Sequence, residues 1–360
     1  MTEKKLFDGK VEEDNDSETV FNSWHIGRLI GEGSFGKVFE IERQGCGETC
    51  KAALKIITVP RNENELLSLL EDGIDEDSID GYLMSLVNDI VSHYALASKF
   101  KGSDNIVSCD EFQIIPHKGK TGWDILIRME LLIPLTDHIQ ALEKPFSRKE
   151  VIRLGIDICS ALELCQKYSV IHRDIKPENI FVTQDHRFKL GDFGVACTFE
   201  DTGMVRQGAM SYMAPEIYKG ESYGAEVDIY SLGIVMYRLL NNNRLPFLPK
   251  HPSNITFRDR EEAIKKRLTG EVFPNPVNAD TTLTKVVLKA CEYKPENRYS
   301  SPVQMREELE TIANESNVDD RYSRVVKALP DEMTESIKFE EMDPYSRTVY
   351  EAPGFTPKTV

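Results

Sequence analysis

The sequence predicts an α+β fold, in which a small antiparallel sheet with one main helix precedes a larger, mainly helical part. Runs of β-branched and aromatic residues indicate strands at 24–30, 37–41, 52–57 and 124–130, with one more opening at 105–107. Apolar residues at helical spacing dominate after residue 131. A chain of 360 residues has room for a large core and for two or three domains.

Composition and charge narrow the classes of function. The chain carries 44 basic and 60 acidic residues, a formal net charge of −16, which argues against a nucleic-acid-binding surface and against adhesion to anionic membranes. The N-terminus lacks the apolar core of a secretory signal, and no run approaches the roughly eighteen apolar residues of a membrane span. Seven scattered cysteines indicate reduced thiols, so a cytoplasmic location is expected. Cys46 and Cys50 favour a surface hairpin over a metal site, which would need two more ligands.

Both ends of the chain are predicted to be disordered. Residues 1–21 form an acidic arm without apolar periodicity, and residues 314–360 begin with a possible helix and continue as an acidic, Pro-containing tail. An acidic segment at 60–80 is expected to be a solvated loop with a short helix around residues 66–70. The main helix of the first part follows, capped by Ser78 or Asp80, and runs to about residue 100.

A glycine-rich turn joins the first two long strands. It consists of Gly31, Glu32, Gly33, Ser34, Phe35 and Gly36, with Val38 just after it. Glycines let the backbone approach phosphates closely, and a strand on each side distinguishes this hairpin from a dinucleotide-binding turn, which opens a helix. Lys55 follows in the next strand, two residues after Ala53. Taken alone, Lys55 could be an ordinary lysine that extends its amine to water.

A polar loop between two short apolar runs carries most of the candidate chemistry. Asp174, Lys176 and Asn179 lie within six residues of each other, and Asp192 follows in a turn bounded by glycines. Phosphoryl transfer needs an acid that accepts a hydroxyl proton, a cation that steadies the phosphate, and oxygen ligands for Mg²⁺. The order and spacing of these four side chains meet that need.

The two stretches resemble the H-R-D-x-K-x-x-N and D-F-G motifs of protein kinases. With the glycine-rich hairpin and Lys55 before them and Ala214-Pro215-Glu216 after them, the resemblance spans about residues 22–313. It implies a bilobal protein kinase fold, with an N-lobe at 22–131 and a C-lobe at 132–313. Because Lys176 is similar to the lysine of Ser/Thr kinases, the implied activity is transfer of the γ-phosphate of ATP to serine or threonine hydroxyls of a protein substrate.

The resemblance also implies a role for each motif residue. Asp174 orients and deprotonates the acceptor hydroxyl, Lys176 contacts the γ-phosphate, and Lys55 holds the α- and β-phosphates. Asn179 and Asp192 bind Mg²⁺, so that ATP and Mg²⁺ are the expected cofactors. The nucleotide is expected to lie under the glycine-rich turn. Val38 and Ala53 are expected to enclose its adenine, and the stretch with Met129, Glu130 and Leu132 is expected to contact it at a backbone hinge.

The helical part is expected to support this site. Ser147 and Glu150 form a capping box at the start of a helix that ends near residue 168, and the runs at 181–182 and 188–190 predict a short hairpin after the polar loop. The resemblance further implies two buried contacts. Asp228 is expected to support the backbone of the polar loop with its carboxylate, and Glu216 of the A-P-E stretch is expected to form an ion pair with Arg298.

Two positions depart from the family pattern. The resemblance calls for a Glu on the main helix of the N-lobe, paired with Lys55, but the matching residue is His93. The nearest acid on that face is Asp89, one turn earlier, so either Asp89 substitutes after a helix shift or Lys55 lacks its usual partner. Ala209 stands where Ser/Thr kinases have a threonine that bonds the catalytic Asp and Lys.

Three functions are therefore compatible with the sequence. A protein Ser/Thr kinase agrees with the ordered set of motifs, and a weakly active kinase or pseudokinase that serves as a nucleotide-binding scaffold would explain the departures at His93 and Ala209. A small-molecule kinase is the third, although the A-P-E stretch counts against it. In the kinases that the sequence resembles, the arginine that matches Arg173 pairs with a phosphate on the activation segment. The resemblance therefore implies regulation by autophosphorylation, with Thr198 and Thr202 as candidate acceptors and Arg206 as a second cation. The alternative is that Arg173 only bonds backbone carbonyls and that the segment is ordered without modification.

Overall fold

A computed structural model describes residues 19–21, 23–33, 36–45, 47–100, 102–193 and 209–327 of the chain. The chain divides into two compact units, Met1–Ile312 and Ala313–Val360. The first unit contains both the sheet and the helices that build the candidate site. In the part of the chain that the structure describes, no helix is both long enough and apolar enough to cross a membrane.

The first half of this unit is an antiparallel sheet in the order β1-β2-β3-β4-β6-β5. Its strands are β1 (Thr19–Val20), β2 (Trp24–Gly33), β3 (Gly36–Gly45), β4 (Glu48–Val59), β5 (Cys109–Pro116) and β6 (Trp123–Met129). The four predicted strands at 24–30, 37–41, 52–57 and 124–130 are confirmed. β2 continues past its predicted end, β3 and β4 extend at both ends, and β6 begins and ends one residue earlier than predicted.

Two predictions at the edges of this sheet are wrong. Residues 19 and 20 belong to a strand and not to a disordered arm, because Val20 pairs with Trp24 and is buried with it in the core under the sheet. Residues 105–107 do not open a strand either. Ile106 instead forms an isolated bridge with Leu190 of the helical part, and the predicted strand begins at Cys109.

Two helices cover one face of the sheet: α1 (Glu63–Glu71) and α2 (Glu76–Ser98). The predicted short helix around 66–70 is confirmed as α1. Apolar residues spaced along α2, among them Leu83, Val87 and Ile90, bury against Ile57 and Ile127 of the sheet. The predicted cap of α2 is wrong. Asp75 precedes the helix, and its carboxylate accepts a hydrogen bond of 2.9 Å from the backbone N–H of Ser78.

The second half of the unit is mainly helical. Its elements are the small sheet β7 (Ile133–Pro134), β8 (Ile180–Val182) and β9 (Phe188–Leu190), and the helices α3 (Leu135–Ala141), α4 (Arg148–Lys167), α5 (Pro215–Tyr218), α6 (Glu226–Leu240), α7 (Phe257–Leu268) and α8 (Thr281–Ala290). A last helix, α9 (Pro302–Lys327), begins in this unit and continues past its end at Ile312. The capping box of Ser147 and Glu150 is confirmed at the start of α4, as is the short hairpin β8–β9. Helix α6 is buried on nearly all sides, and its Asp228 contacts the backbone of the polar loop.

A buried ion pair joins α5 to the segment after α8. The two terminal guanidinium nitrogens of Arg298 donate to the carboxylate of Glu216, at 2.5 and 2.8 Å, and the side chains of Arg298 and Glu216 are 0% and 3% exposed. This confirms the pairing that the resemblance implied. Such a pair is costly to break because removal of one partner leaves the other charge buried and uncompensated.

We therefore predict that Arg298→Ala lowers the free energy of unfolding by about 3–5 kcal/mol, measured by urea denaturation. The matched control is Arg28→Ala, which removes an arginine whose side chain is 79% exposed beside Glu40 and should cost far less. Equal losses in the two variants would contradict the view that burial gives the Arg298 pair its importance.

Candidate active site

The polar loop between α4 and β8 gathers its three candidate residues around one carboxylate. Asp174 Oδ2 accepts hydrogen bonds from Lys176 Nζ at 2.6 Å and from Asn179 Nδ2 at 2.8 Å. Asn179 also donates to the backbone carbonyl of Asp174 at 2.8 Å, which closes the loop on itself. Asn179 is 5% exposed, and the side chain of Asp174 is 10% exposed. The loop thus holds an acid, a cation and an amide in one largely buried cluster.

Asp228 of α6 supports the backbone of this loop from below. Its two carboxylate oxygens accept the N–H groups of His172 and Arg173, each at 2.8 Å. Arg173 has a left-handed backbone with φ = 65°, a conformation that non-glycine residues adopt only when surrounding contacts enforce it. Burial raises the pKa of Asp228, although the backbone hydrogen bonds from His172 and Arg173 oppose that shift. The support that the resemblance implied for Asp228 is confirmed.

Two hydrogen bonds attach the loop to the turn that carries Asp192. The N–H of Gly191 donates to the carbonyl of Asn179 at 2.9 Å, and the ring nitrogen Nε2 of His172 lies 3.0 Å from the carbonyl of Gly191. Asp192 itself has φ = 61°. Because these bonds involve the residues next to Asp192 and within the loop, they bring the second acid beside Asn179.

The side chain of Asp192 contacts two residues of the N-terminal half of the unit. Its Oδ1 accepts hydrogen bonds from Lys55 Nζ of β4 and from the hydroxyl of Tyr94 of α2, the latter at 3.2 Å. Burial alone would raise the pKa of the Asp192 carboxyl, but the charge and hydrogen bond of Lys55, together with the hydroxyl of Tyr94, lower it below its ordinary value. Asp192 is therefore held as an anion.

The partner of Lys55 is Asp192 and not the exposed Asp89. Asp89 lies exposed on α2, so the hypothesis that Asp89 substitutes for the missing Glu is not supported. Lys55 is 6% exposed and pairs with Asp192 instead. The side chains of His93 and Ala209 lie outside the described part of the structure.

The strand register places the other predicted nucleotide contacts on one face of the sheet. Val38 lies opposite Lys55, and Met129 lies opposite Ala53, which is two residues from Lys55 on β4. Residues that are paired, or two apart on a strand, share a face. The sheet therefore presents two small side chains and one cation together on the side where Lys55 meets Asp192.

The glycine-rich turn has one glycine that the fold itself requires. Gly36 has φ = 126°, and a Cβ there would lie 1.9 Å from the carbonyl oxygen of Ile56. At Gly33, in contrast, a Cβ would meet nothing within 4 Å. Gly31 and Glu32 pair with β3, and Ser34 and Phe35 lie outside the described residues. Packing among the residues that the structure describes therefore does not explain why position 33 is glycine.

Glu130 follows β6, and its side chain takes part in a structural contact. Its carboxylate accepts hydrogen bonds from Lys189 of β9, at 2.8 and 2.9 Å, and from the backbone N–H of Ser108 at 2.6 Å. The backbone N–H of Glu130 also bonds within the protein, because it donates to the carbonyl of Ser108 at 3.2 Å. The sequence analysis did not predict this role for the Glu130 side chain.

The donor set at this place fits Mg²⁺. Mg²⁺ prefers oxygen ligands, and in phosphate-binding sites it takes only one or two from the protein. The carboxylate of Asp192 and the amide oxygen of Asn179 are ligands of that kind, and the lowered pKa of Asp192 keeps it ionised. Among the described residues there is no cluster of three or more His, Cys, Asp or Glu side chains that could hold a metal by themselves.

The segment 210–213, which leads into α5, is anchored from behind by residues that the sequence analysis missed. Arg267 of α7 is 4% exposed and donates to the carbonyls of Met210 and of Met213, the latter at 2.5 Å. Ser231 of α6 donates to the carbonyl of Tyr212 at 2.9 Å. In the sequence Arg267 looks like Lys265 and Lys266 beside it, so only the packing of α7 reveals its role.

The residues that would regulate the site are only partly described. Thr198, Thr202 and Arg206 lie outside the described residues. The guanidinium of Arg173 lies over the ring of Tyr223, 5.3 Å from its centroid. Phosphorylation of the activation segment stays a prediction.

Comparisons with known proteins agree with this geometry. The family described as protein kinase domain matches residues 24–310, which is most of the chain. The chain is similar to the serine/threonine-protein kinase PknB of Mycolicibacterium smegmatis, with 35% identity over 174 residues, or 46% of this chain and 26% of that protein. It is also similar to PknB of Mycobacterium tuberculosis (36% over 179 residues, 48% and 28%) and of Mycobacterium leprae (34% over 171 residues, 46% and 26%). The match thus spans about a quarter of the length of these curated relatives.

We predict that Arg267→Met loosens the segment 210–213, because two backbone carbonyls lose a buried donor. Amide hydrogen exchange in that segment should become about tenfold faster or more. The control is Lys265→Met, an exposed neighbour on the same helix, which should leave exchange there unchanged. Equal exchange in both variants would show that Arg267 does not anchor the segment.

Proposed function

The chain belongs to the protein kinase family, and from that premise we propose that it transfers the γ-phosphate of ATP to serine or threonine hydroxyls of a protein substrate. The observation that carries the proposal is the cluster of Asp174, Lys176 and Asn179, hydrogen-bonded on a loop that is itself attached to the turn of Asp192. An acid, a cation and two oxygen ligands in one place are what phosphoryl transfer uses.

In the proposed reaction the acceptor hydroxyl oxygen bonds to the γ-phosphorus while the bond from that phosphorus to the β-phosphate oxygen breaks. ADP leaves, and the hydroxyl proton passes to the carboxylate of Asp174. Lys176 lies 2.6 Å from Asp174 Oδ2, so its charge is available both to the acid and to the transferred group. Catalysis of this step consists mainly of positioning and of neutralising charge on the phosphate oxygens.

Asn179 and Asp192 are the residues that would hold Mg²⁺. When bound, the metal supplies positive charge that neutralises the phosphate oxygens of the nucleotide. The protein's own contribution is to keep Asp192 ionised and to orient Asn179, which donates its amide hydrogens to Asp174 and so leaves its amide oxygen for a cation.

The nucleotide would lie against the sheet face of Val38, Ala53 and Met129, with the backbone of Glu130 and Leu132 as the adenine hinge. Lys55 would then turn from Asp192 towards the α- and β-phosphates. The surroundings of Gly33 support this placement, because no described residue lies within 4 Å of a Cβ at this position, and a glycine there allows a phosphate close to the backbone.

Serine and threonine are the proposed acceptors for two reasons. Lys176 stands at the place that is typical of Ser/Thr kinases, and the similar proteins from mycobacteria are named serine/threonine-protein kinases. We also propose autophosphorylation at Thr198 or Thr202 as a means of regulation, with Arg173 as a cation beside the loop and Arg206 as a second.

A second candidate function is a nucleotide-binding scaffold with weak activity. It is favoured by one observation: Lys55 pairs with Asp192, while Asp89, the acid on α2 nearest to the expected position, is exposed. The absence of a threonine at Ala209 points the same way. In that case ATP would bind with Mg²⁺, but little phosphate would be transferred to any protein, including the chain itself.

We predict that Asp174→Asn lowers turnover of a generic protein substrate by about 10²-fold or more, because the proton acceptor is lost while the size of the side chain is kept. Affinity for ATP should change little. The measurement is transfer of labelled phosphate from ATP with Mg²⁺, and Asp185→Asn, an exposed turn residue, is the control. A wild-type protein that binds ATP but transfers nothing would favour the scaffold, and near-normal transfer by Asp174→Asn would remove Asp174 from the mechanism.

We also predict that ATP raises the melting temperature much more with Mg²⁺ than with a chelator, because ligand binding stabilises the folded state by mass action. Asp192→Asn should largely abolish this difference, since it removes the charged ligand. Thermal denaturation of the two proteins with ATP, with and without Mg²⁺, makes the comparison. A difference of unchanged size in the variant would mean that the nucleotide binds elsewhere or without metal.

A further inference from the structure

Tyr94 connects α2 to the candidate metal site. Its hydroxyl donates to Asp192 Oδ1 at 3.2 Å, the same oxygen that accepts Lys55 Nζ. The two residues are 98 positions apart in the sequence, and Tyr94 is 5% exposed. A phenol hydroxyl that is buried needs a hydrogen-bond partner, and here that partner is a carboxylate.

The ring of Tyr94 is held firmly by its surroundings. It belongs to the core cluster between α2 and the sheet, together with Ile90, Cys109 and Ile127. Because this packing fixes the ring relative to both α2 and the sheet, the hydroxyl can reach Asp192 only while the helix keeps its place against the strands. A shift of α2 by a few ångström would exceed the range of the hydrogen bond.

We propose that Tyr94 is a positioning residue for Asp192, and that it couples the position of α2 to the binding of Mg²⁺ and ATP. The inference rests on the proposed function of the site and adds a residue to it. The sequence has a histidine at position 93, where an acidic residue would connect α2 to Lys55. In this proposal Tyr94 makes the connection between α2 and the site instead.

A neutral donor suits this place better than a second acid would. Lys55 is already paired with Asp192, so another carboxylate beside them would compete for the same cation and repel Asp192. The hydroxyl of Tyr94 instead adds a hydrogen bond to the anion.

The hydroxyl also matters when Lys55 turns to a nucleotide phosphate. Asp192 Oδ1 then loses its cationic donor, and Tyr94 is the other donor that the structure shows on that oxygen. Residues that orient a metal-binding carboxylate in this way contribute strongly to metal affinity, and their loss typically costs 10- to 100-fold.

The test compares the wild type with Tyr94→Phe and Tyr82→Phe. Tyr82 lies on the same helix and packs partly buried against the same cluster, so it controls for removal of a hydroxyl from α2. The readout is the Mg²⁺ concentration at half of the ATP-induced rise in melting temperature. We expect Tyr94→Phe to raise that midpoint about tenfold, to raise the Mg²⁺ requirement of phosphate transfer in parallel, and to change kcat at saturating Mg²⁺ less. Tyr82→Phe should match the wild type.

A second measurement needs no variant. Amide hydrogen exchange of α2 in the wild type should slow when a non-hydrolysable ATP analogue binds with Mg²⁺, and slow much less when it binds with a chelator. A wild type without any Mg²⁺-dependent effect of ATP would overturn the proposed function of the site. If the wild type shows that effect, either of two results would overturn the role of Tyr94 alone. One is an equal Mg²⁺ midpoint in all three proteins, and the other is amide exchange in α2 that does not depend on Mg²⁺.

Discussion

The buried carboxylate of Asp228 is the constraint on which the rest of the site depends. It accepts two successive backbone N–H groups, those of His172 and Arg173, at 2.8 Å each. A buried backbone N–H without a partner costs about 1–3 kcal/mol, so these bonds hold the chain in the left-handed turn at Arg173. That turn directs Asp174 towards Lys176 and Asn179. Helix α6 is surrounded by protein on nearly all sides, and the loop therefore rests on a part of the molecule that has little freedom to move.

The second acid is placed by contacts from both halves of the unit. Backbone hydrogen bonds through Gly191 set it beside Asn179, while Lys55 and Tyr94 reach it from the sheet and from α2. Polar networks of this kind are costly when a member is missing, because the remaining groups stay buried without partners. The geometry explains how a chain without an acid at position 93 still keeps Lys55 and Asp192 in order. On the proposed role of Tyr94, movement of α2 and binding at Asp192 are coupled.

Local patterns in the sequence were sufficient to predict most elements and the members of the polar loop. The capping box at Ser147 and the motif spacing around Asp174 are local features, and the structure has them where they were expected. The failures have a common cause. Val20 belongs to a strand because of its pairing with Trp24, and Tyr94 and Arg267 act on residues that are 98 and 57 positions away. Such contacts follow from tertiary packing, which neither periodicity nor a family pattern reveals in a tyrosine or an arginine on an amphipathic helix.

The central claim, that Asn179 and Asp192 form a metal-binding pair held ready by the surrounding hydrogen bonds, can be tested by direct observation of the metal. A crystal structure with Mn²⁺ in place of Mg²⁺ and a non-hydrolysable ATP analogue would locate the ion by its anomalous scattering. We expect a peak within coordination distance of oxygens of both residues, about 2.1 Å for a metal of this kind, and beside the nucleotide phosphates. A nucleotide bound with no peak at these two side chains, or with the ion held by other residues, would contradict the claim.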